Sequence, residues 1–456
     1  MFSVEGQRVV VVGAARSGIA AAELLVSRGA SVVLTDTKPD FDGAERLRQL
    51  GVTLELGAHR RETFVDADLL VLSPGVSPRQ PDVAAARDAG VPTIGELELA
   101  ARWLKGRIVA ITGTKGKSTT TTLVGRMLNE GGLRAVVGGN IGIPLSAQVD
   151  DSSPEVIHVV EASSFQLEMT EQFRPWIAVV LNFSPDHLDR HASVEEYAEA
   201  KARIFANQHA DDWAVVNVDD PAAVALASRA RARRIALSPS GAVDDGIVVG
   251  AEAIVRRRNG RDERLVPLSS VRLLGRHLLA DVAAAAAVAD IAGVSPEAMT
   301  HACESFTGLE HALEPVGAVQ GVSFVNDSKA TNVEAAERAI ESFGPGLVAI
   351  MGGRFKGGDL ERLRAPLAAR GARVVAIGES RARFREALDG AVDVSEAASM
   401  DDAVRLGFTL APPGATVLLA PACASFDMFA DYAERGRRFK EAVVRLMHEV
   451  QRTREQ

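Results

Sequence analysis

Short apolar runs, each closed by a glycine or polar turn, recur along the chain and alternate with segments whose apolar residues fall at helical spacing. Val9–Val12, Val32–Thr35 and Leu69–Leu72 form a first set, with Ala20–Leu25 at helical spacing between the first two. Continuous rather than alternating hydrophobicity predicts strands covered on both faces, hence a parallel sheet flanked by helices. Ile108–Thr112, Ile157–Val160 and Ile177–Leu181 form a second set, and Val322–Val325, Leu347–Met351, Val374–Ile377 and Val417–Leu419 a third. Between these two, Asp244–Arg264 is polar and glycine-bearing, as turns and short strands require, and Leu278–Ile291 reads as a buried alanine-rich helix. The pattern restarts after Gly95 and near Phe306, so three regions are expected, 1–96, 97–308 and 309–456. Gly95–Arg107 and Phe306–Leu309 are the expected linkers between them.

In open α/β sheets ligands sit beyond the carboxyl ends of the strands, so the turns there carry the chemistry. Ile108–Thr112 runs into Gly113-Thr114-Lys115-Gly116-Lys117-Ser118-Thr119, then into Leu123, Val124, Met127 and Leu128 at helical spacing. Backbone N–H groups of such a turn, with the positive end of a helix behind them, cradle phosphate oxygens. Lys117 would reach the outer phosphates, and Ser118 or Thr119 would hold magnesium. The match to a phosphate loop is partial, because Ile111 stands where a further glycine is usual. The first turn, Gly13-Ala14-Ala15-Arg16-Ser17-Gly18, resembles a dinucleotide fingerprint with Ala15 at its middle glycine, and Asp36 closes the next strand. Alone, this reads as an NAD-binding oxidoreductase, though Thr37 and Ser73 suit a different nucleotide equally well.

Glu161 follows Ile157–Val160 directly, where a carboxylate suits a magnesium shell. Ile177–Leu181 ends in Asn182-Phe183-Ser184-Pro185-Asp186-His187-Leu188-Asp189, with His187 and the acids on the same presumed edge. Gly138-Gly139-Asn140-Ile141-Gly142 places bare backbone nearby. Lys201 lies in an amphipathic helical stretch, and spacing alone makes it a solvated lysine. In the third set Lys329, Thr331, Lys356 and Ser425 all fall just past strands, and two lysines there suggest an anionic ligand. The tail from Glu434, with Arg435, Arg437, Arg438 and Lys440, reads as a charged amphipathic helix with a solvated face.

Composition narrows the classes. A chain of 456 residues exceeds one hydrophobic core. A net charge of −9 argues against nucleic acid as the main partner. Cys303 and Cys423, far apart in sequence, suggest neither a disulfide framework nor a cysteine-metal site. Glu5 and Arg8 precede a short apolar run without a cleavage-like segment, and Asp281 and Asp290 interrupt the alanine-rich helix as a membrane span. The cytoplasm is expected.

The phosphate loop, Gly139–Gly142, Glu161 to Glu168, Asp186 to Arg190, Lys201, Gly308 to His311, Asn326 to Asn332 and Ala420 to Asp427 occur in the order and at the spacing of the Mur ligases. The chain resembles that family over essentially its whole length. The runs Ser163–Glu168 and Asn326–Asn332 resemble the branch that adds D-glutamate more than those adding alanine, lysine or diaminopimelate.

The resemblance implies an α/β chain of three domains: a Rossmann-like N-terminal domain for a UDP-linked substrate, a central P-loop ATPase with a mainly parallel sheet, and a Rossmann-like C-terminal domain for the amino acid. The implied reaction joins D-glutamate to UDP-N-acetylmuramoyl-L-alanine through an acyl phosphate made with ATP. Lys117, His187 and Lys201 would be catalytic. Gly113, Thr114, Lys115, Gly116, Lys117, Ser118 and Thr119, with Asp327 and Lys329, would bind ATP. Ser118 and Glu161 would hold one magnesium, and His187 and Lys201 a second. The resemblance gives Lys201 a carbamate, since an ammonium cannot coordinate magnesium. Ser17, Asp36, Thr37, Ser73, Asn140, Ser163 and Gln166 would contact the UDP substrate, and Thr331, Lys356, Ser425, Phe426 and Tyr432 the D-glutamate. A monomer with no nucleic-acid or membrane partner is expected.

Three departures from the family stand out, the first at two positions. Leu278 and Asp281, after Gly275-Arg276-His277, replace its usual asparagines, Ala312 replaces an arginine after His311, and Tyr432 stands where phenylalanine is common. The first two predict a weak Michaelis constant for ATP. A non-catalytic nucleotide-binding relative and a related amide ligase, such as folylpolyglutamate synthase, remain alternatives.

Overall fold

The computed structural model describes residues 2–187, 190–273 and 278–455. Leu188 and Asp189 of the histidine motif, and Gly275-Arg276-His277, lie outside the described residues. The chain divides into two compact units, Met1–Val271 with His277–Ser305, and Arg272–Arg276 with Phe306–Gln456.

The first unit contains two sheets. One consists of β1 (Arg8–Val12), β2 (Ser31–Asp36), β3 (Thr53–Leu56), β4 (Leu69–Leu72) and β5 (Thr93–Gly95) in the order β3-β2-β1-β4-β5. All its pairs are parallel, with Val10 opposite both Val33 and Leu70. Val9 to Val12 are wholly buried, as a strand covered by helices on both faces requires. The order reverses between β1 and β4, which makes the turns after those strands the natural ligand crevice.

The second sheet consists of β6 (Arg107–Thr112), β7 (Arg134–Gly139), β8 (Val156–Glu161), β9 (Ile177–Val180), β10 (Trp213–Asn217), β11 (Arg233–Ser238), β12 (Gly246–Val249), β13 (Ala253–Arg258) and β14 (Arg261–Pro267). The order is β14-β13-β12-β11-β10-β9-β6-β8-β7. β6 runs parallel between β8 and β9, so the turn after β6 is flanked by Glu161 and by the loop after β9. The polar excursion at 244–264 forms the antiparallel meander β12 to β14.

The helix Leu278–Ile291 packs against the helix Lys117–Glu130, and its residues 281–289 are buried on every side, which small alanines permit. The two sheets are joined through Glu98, which is fully buried on the helix Glu96–Ala101. Its carboxylate accepts the N–H groups of Glu171, Gln172 and Phe173 and pairs with Arg102 at 2.8 Å.

The second unit holds β15 (Glu314–Val319), β16 (Val322–Asn326), β17 (Leu347–Gly352), β18 (Arg373–Ile377), β19 (Val394–Glu396) and β20 (Thr416–Leu419), in the order β15-β16-β20-β17-β18-β19. Only β15 is antiparallel to its neighbour. The tail forms the helix Tyr432–Glu455. Its face is not wholly solvated: Arg435 is 1% exposed and donates to the Ser328 hydroxyl and to the carbonyls of Ser328 and Cys423. Among the described residues no helix is long and apolar enough to cross a membrane.

Candidate active site

The turn after β6 is built for close approach of an anion. Gly113 and Gly116 have φ of +158° and +82°, and Gly116 caps the helix Lys117–Glu130. Asn182, at the end of β9, holds the turn from the side: its Oδ1 accepts the N–H of Thr114 and Lys115, and its Nδ2 donates to the Lys115 carbonyl. The Thr114 hydroxyl ties the turn to Ser184 and lies 3.3 Å from the Tyr197 hydroxyl. Ser118 and Thr119 stand half-buried in the first turn of the helix.

Two lysines converge here. Lys117 Nζ lies 3.0 Å from the carbonyls of Gly113 and Thr114, and Lys201 Nζ lies 2.8 Å from that same Gly113 carbonyl. Lys201 is 1% exposed and sits over the Tyr197 ring, which corrects the reading of a solvated helix lysine. Burial, reinforced by the neighbouring Lys117 charge, brings its amine down to about 7. Tyr197 and Lys201 share one face of the helix Val194–Ala202, a helical spacing that was visible in the sequence but did not reveal what covers that face.

Glu161 ends β8 beside this turn and is 2% exposed, so it is no solvated strand-end acid. Its Oε1 accepts from Asn140 Nδ2 at 2.7 Å, while Oε2 is buried with no partner. An orphaned carboxylate oxygen next to a serine-bearing phosphate loop fits a hard divalent cation. Magnesium is held by one or two carboxylates together with substrate phosphates and water rather than by an all-protein cage. Accordingly, among the described residues no three His, Cys, Asp or Glu side chains form a ready-made metal site. His187 is half exposed with φ +54°; its N–H donates to Asp186 Oδ1, and its ring packs edge-on against Phe165.

At the crevice of the first sheet, Ser73 Oγ donates to the Gly13 carbonyl, and Asp36 accepts the N–H groups of Ala14 and Lys38. Both residues therefore shape the turn that presents the half-buried Ser17, while Thr37 is exposed. Ser163 and Gln166 form a reciprocal cap, leaving the Gln166 Nε2 amide buried and unpartnered. Arg190, the end of the histidine motif, and Arg79, which the sequence did not single out, tie the loop after β4 to the histidine loop: Arg190 donates to the Val76 carbonyl and Glu168, and Arg79 to the Arg190 carbonyl and Glu196.

In the second unit, Asp327, Lys329 and Thr331 follow β16, Arg354 and Lys356 follow β17, and Ser425 and Phe426 follow β20. Asp327 is nine-tenths buried and accepts the Leu313 N–H, and burial raises its carboxyl to about 7. Lys329 and Lys356 are exposed. Ser425 is buried, whereas Phe426 and Tyr432 expose 59% and 42% of their surface.

A glycine turn on a parallel sheet, backed by a helix, two converging lysines and a carboxylate with a free oxygen, defines a P-loop nucleotide-binding protein. Three family profiles match successive stretches: "Mur ligase MurD-like, N-terminal domain" over 7–95, "Mur ligase middle domain" over 111–289, and "Mur ligase, glutamate ligase domain" over 313–423. The UDP-N-acetylmuramoylalanine–D-glutamate ligase of Acidobacterium capsulatum is 46% identical, covering 97% of both chains. Its counterpart from Koribacter versatilis is 43% identical over 97% of this chain and 98% of its own. The chain belongs to the Mur ligase family, in its UDP-N-acetylmuramoylalanine–D-glutamate ligase branch. The fold is shared with the crystal structure of UDP-N-acetylmuramate–alanine ligase MurC from Thermotoga maritima, at TM-score 0.61 and 18% identity over 95% of this chain and 98% of that one. It is also shared with MurF ligase from Thermotoga maritima in complex with ADP, at TM-score 0.57 and 16% identity over 99% and 96%.

Proposed function

We propose that the chain joins D-glutamate to UDP-N-acetylmuramoyl-L-alanine at the cost of ATP, as a cytoplasmic monomer in peptidoglycan precursor synthesis. Residues 1–96 take the UDP-linked substrate, 97–308 the ATP and 309–456 the amino acid. The observation that carries this reading is the convergence of Lys117 and Lys201 on the Gly113 carbonyl, beside a Glu161 carboxylate with an unpartnered buried oxygen.

The substrate carboxylate attacks the γ-phosphorus of ATP and ADP departs, leaving an acyl phosphate. The amine of D-glutamate then adds to the acyl carbon, loses a proton and expels phosphate. Such transfers depend on positioning and charge neutralisation more than on covalent help from the protein. Lys117 draws the β- and γ-phosphates into the turn, which the other residues of Gly113–Thr119 form; the resemblance assigns Asp327 and Lys329 to ATP as well. Ser118 and Glu161 would hold one magnesium, and His187 with a carbamylated Lys201 a second. Bound magnesium supplies charge neutralisation on the phosphate oxygens. The burial of Lys201 and its lowered basicity support the carbamate, because only a neutral amine combines with carbon dioxide.

Ser17, Asp36, Thr37, Ser73, Asn140, Ser163 and Gln166 serve the UDP substrate, to which the unpartnered Gln166 amide adds support. Thr331, Lys356, Ser425, Phe426 and Tyr432 serve D-glutamate. A lysine there rejects neutral amino acids, since leaving it unpaired on binding is costly. Phosphate release from ATP that requires both UDP-N-acetylmuramoyl-L-alanine and D-glutamate tests the reading. Release with either one alone would refute it.

A further inference from the structure

We propose that Gln148 and His158 are positioning residues for the Glu161 carboxylate, acting through the glycine turn that carries Asn140. The proposal rests on the metal-dependent ligase reading above.

His158 lies in the middle of β8 and is 1% exposed. A polar side chain inside a strand covered on both faces has to find partners within the protein. It has two: Ser152 Oγ at 2.9 Å from Nε2 and Gln148 Oε1 at 2.8 Å from Nδ1. Ser152 Oγ also accepts the N–H groups of Lys105 and Gly106, so its own hydroxyl proton points to Nε2. That leaves the imidazole proton on Nδ1, donating to the Gln148 carbonyl oxygen. The Gln148 amide then donates onward to the Ile143 carbonyl at 3.3 Å. Every donor in this chain meets an acceptor in one direction only. Burial brings the imidazole down to about 4, so it stays neutral across the physiological range.

The far end of the chain is the turn 138–142. Gln148 Nε2 occupies the space under Gly138, where a Cβ would stand 2.0 Å from it. Ile143 also accepts from Gly139 N, closing the turn. Within it, Asn140 N donates to the Glu161 carbonyl at 2.9 Å and Asn140 Nδ2 to Glu161 Oε1 at 2.7 Å. Gly139 and Gly142 have φ of +94° and +63°, conformations open to many alternatives without support from below. The buried chain supplies that support. It runs from the segment entering β6 to the carboxylate, so that Oε1 is held and Oε2 is left to the cation.

The test compares Gln148→Met, which removes the amide at similar volume, with His158→Asn, whose amide keeps an N–H where Nδ1 donates. Manganese binding to the full chain with ADP present is followed by electron paramagnetic resonance, and amide exchange is followed across 138–143. Gln148→Met is expected to weaken manganese about tenfold and to speed exchange in the turn. His158→Asn stays within about twofold of the parent, and His158→Leu behaves like Gln148→Met. Unchanged manganese affinity and exchange in Gln148→Met and His158→Leu would overturn the proposal. Substrate-dependent phosphate release by the unaltered chain judges the ligase reading separately, so the two failures are distinguishable.

Discussion

The carboxyl group of Asp281 lies against Gly116 so closely that a Cβ on the glycine would stand 2.1 Å from Oδ1. An acid is thus packed directly against the phosphate loop, on a helix whose other residues, Asp290 near its far end excepted, are alanine or otherwise apolar. Burial raises it to about 7. Above that pH its charge opposes incoming phosphates across a poorly screened interior. Asp281→Asn should tighten ATP binding about tenfold at pH 8.5 and leave it nearly unchanged at pH 5.5. Calorimetric titration with a non-hydrolysable ATP analogue at both values checks this, and equal affinity of the two proteins at pH 8.5 would count against it.

The same burial makes stability depend on pH. Asp281 and Asp327 are both raised from 3.8 to about 7. Between those values the folded chain keeps protons that the unfolded chain releases, so stability falls as pH rises through that window. Asp281→Asn should therefore raise the melting temperature of the first unit at pH 8, and Asp327→Asn that of the second, with little gain at pH 4. Lys201 acts in the opposite sense. Its amine is lowered from 10.5 to about 7, so stability from this group is gained as pH rises between the two. Scanning calorimetry across pH separates the contributions.

Lys201→Ala should reduce kcat by at least about a hundredfold. Added small carboxylates should restore part of the rate by occupying the space of a carbamate. Intact-protein mass measurement under bicarbonate should show the adduct on the parent chain alone. Full activity of Lys201→Ala without rescue would exclude the role.

Glu98 is the strongest structural prediction, because one buried carboxylate serves Arg102 and three consecutive backbone N–H groups. Glu98→Ala strands the three N–H groups and leaves Arg102 with Glu171 as its remaining carboxylate partner, and should cost about 3 kcal/mol or more. Urea unfolding of the first unit measures it. A loss under about 1 kcal/mol would mean that water reaches the 171–173 backbone.

The strands were legible because their signal is local. Leu69–Leu72 matches its strand residue for residue, and Leu278–Ile291 matches its helix, since an unbroken apolar run of given length has few other places to go. The turns that follow were legible for the same reason. What covers a helix face was not. Lys201 and Arg435 sit in helices whose spacing suggested solvent, and both are 1% exposed because distant segments close over them. His158 did carry a sequence signal, a polar residue inside the apolar run Ile157–Val160, yet its partners Gln148 and Ser152 lie in the connection between β7 and β8, which periodicity does not place.

By itself the sequence determined that parallel strands would present glycine turns, lysines and acids at their carboxyl ends, because pleat, helical period and turn chemistry act over a few residues. Only the tertiary structure decided which of those groups are drawn out of water and what each then touches. It left Glu161 an unused oxygen, lowered the Lys201 amine and set Asp281 against the phosphate loop. Desolvation and hydrogen-bond completion are properties of a surrounding shell, and that shell is assembled from residues far apart along the chain.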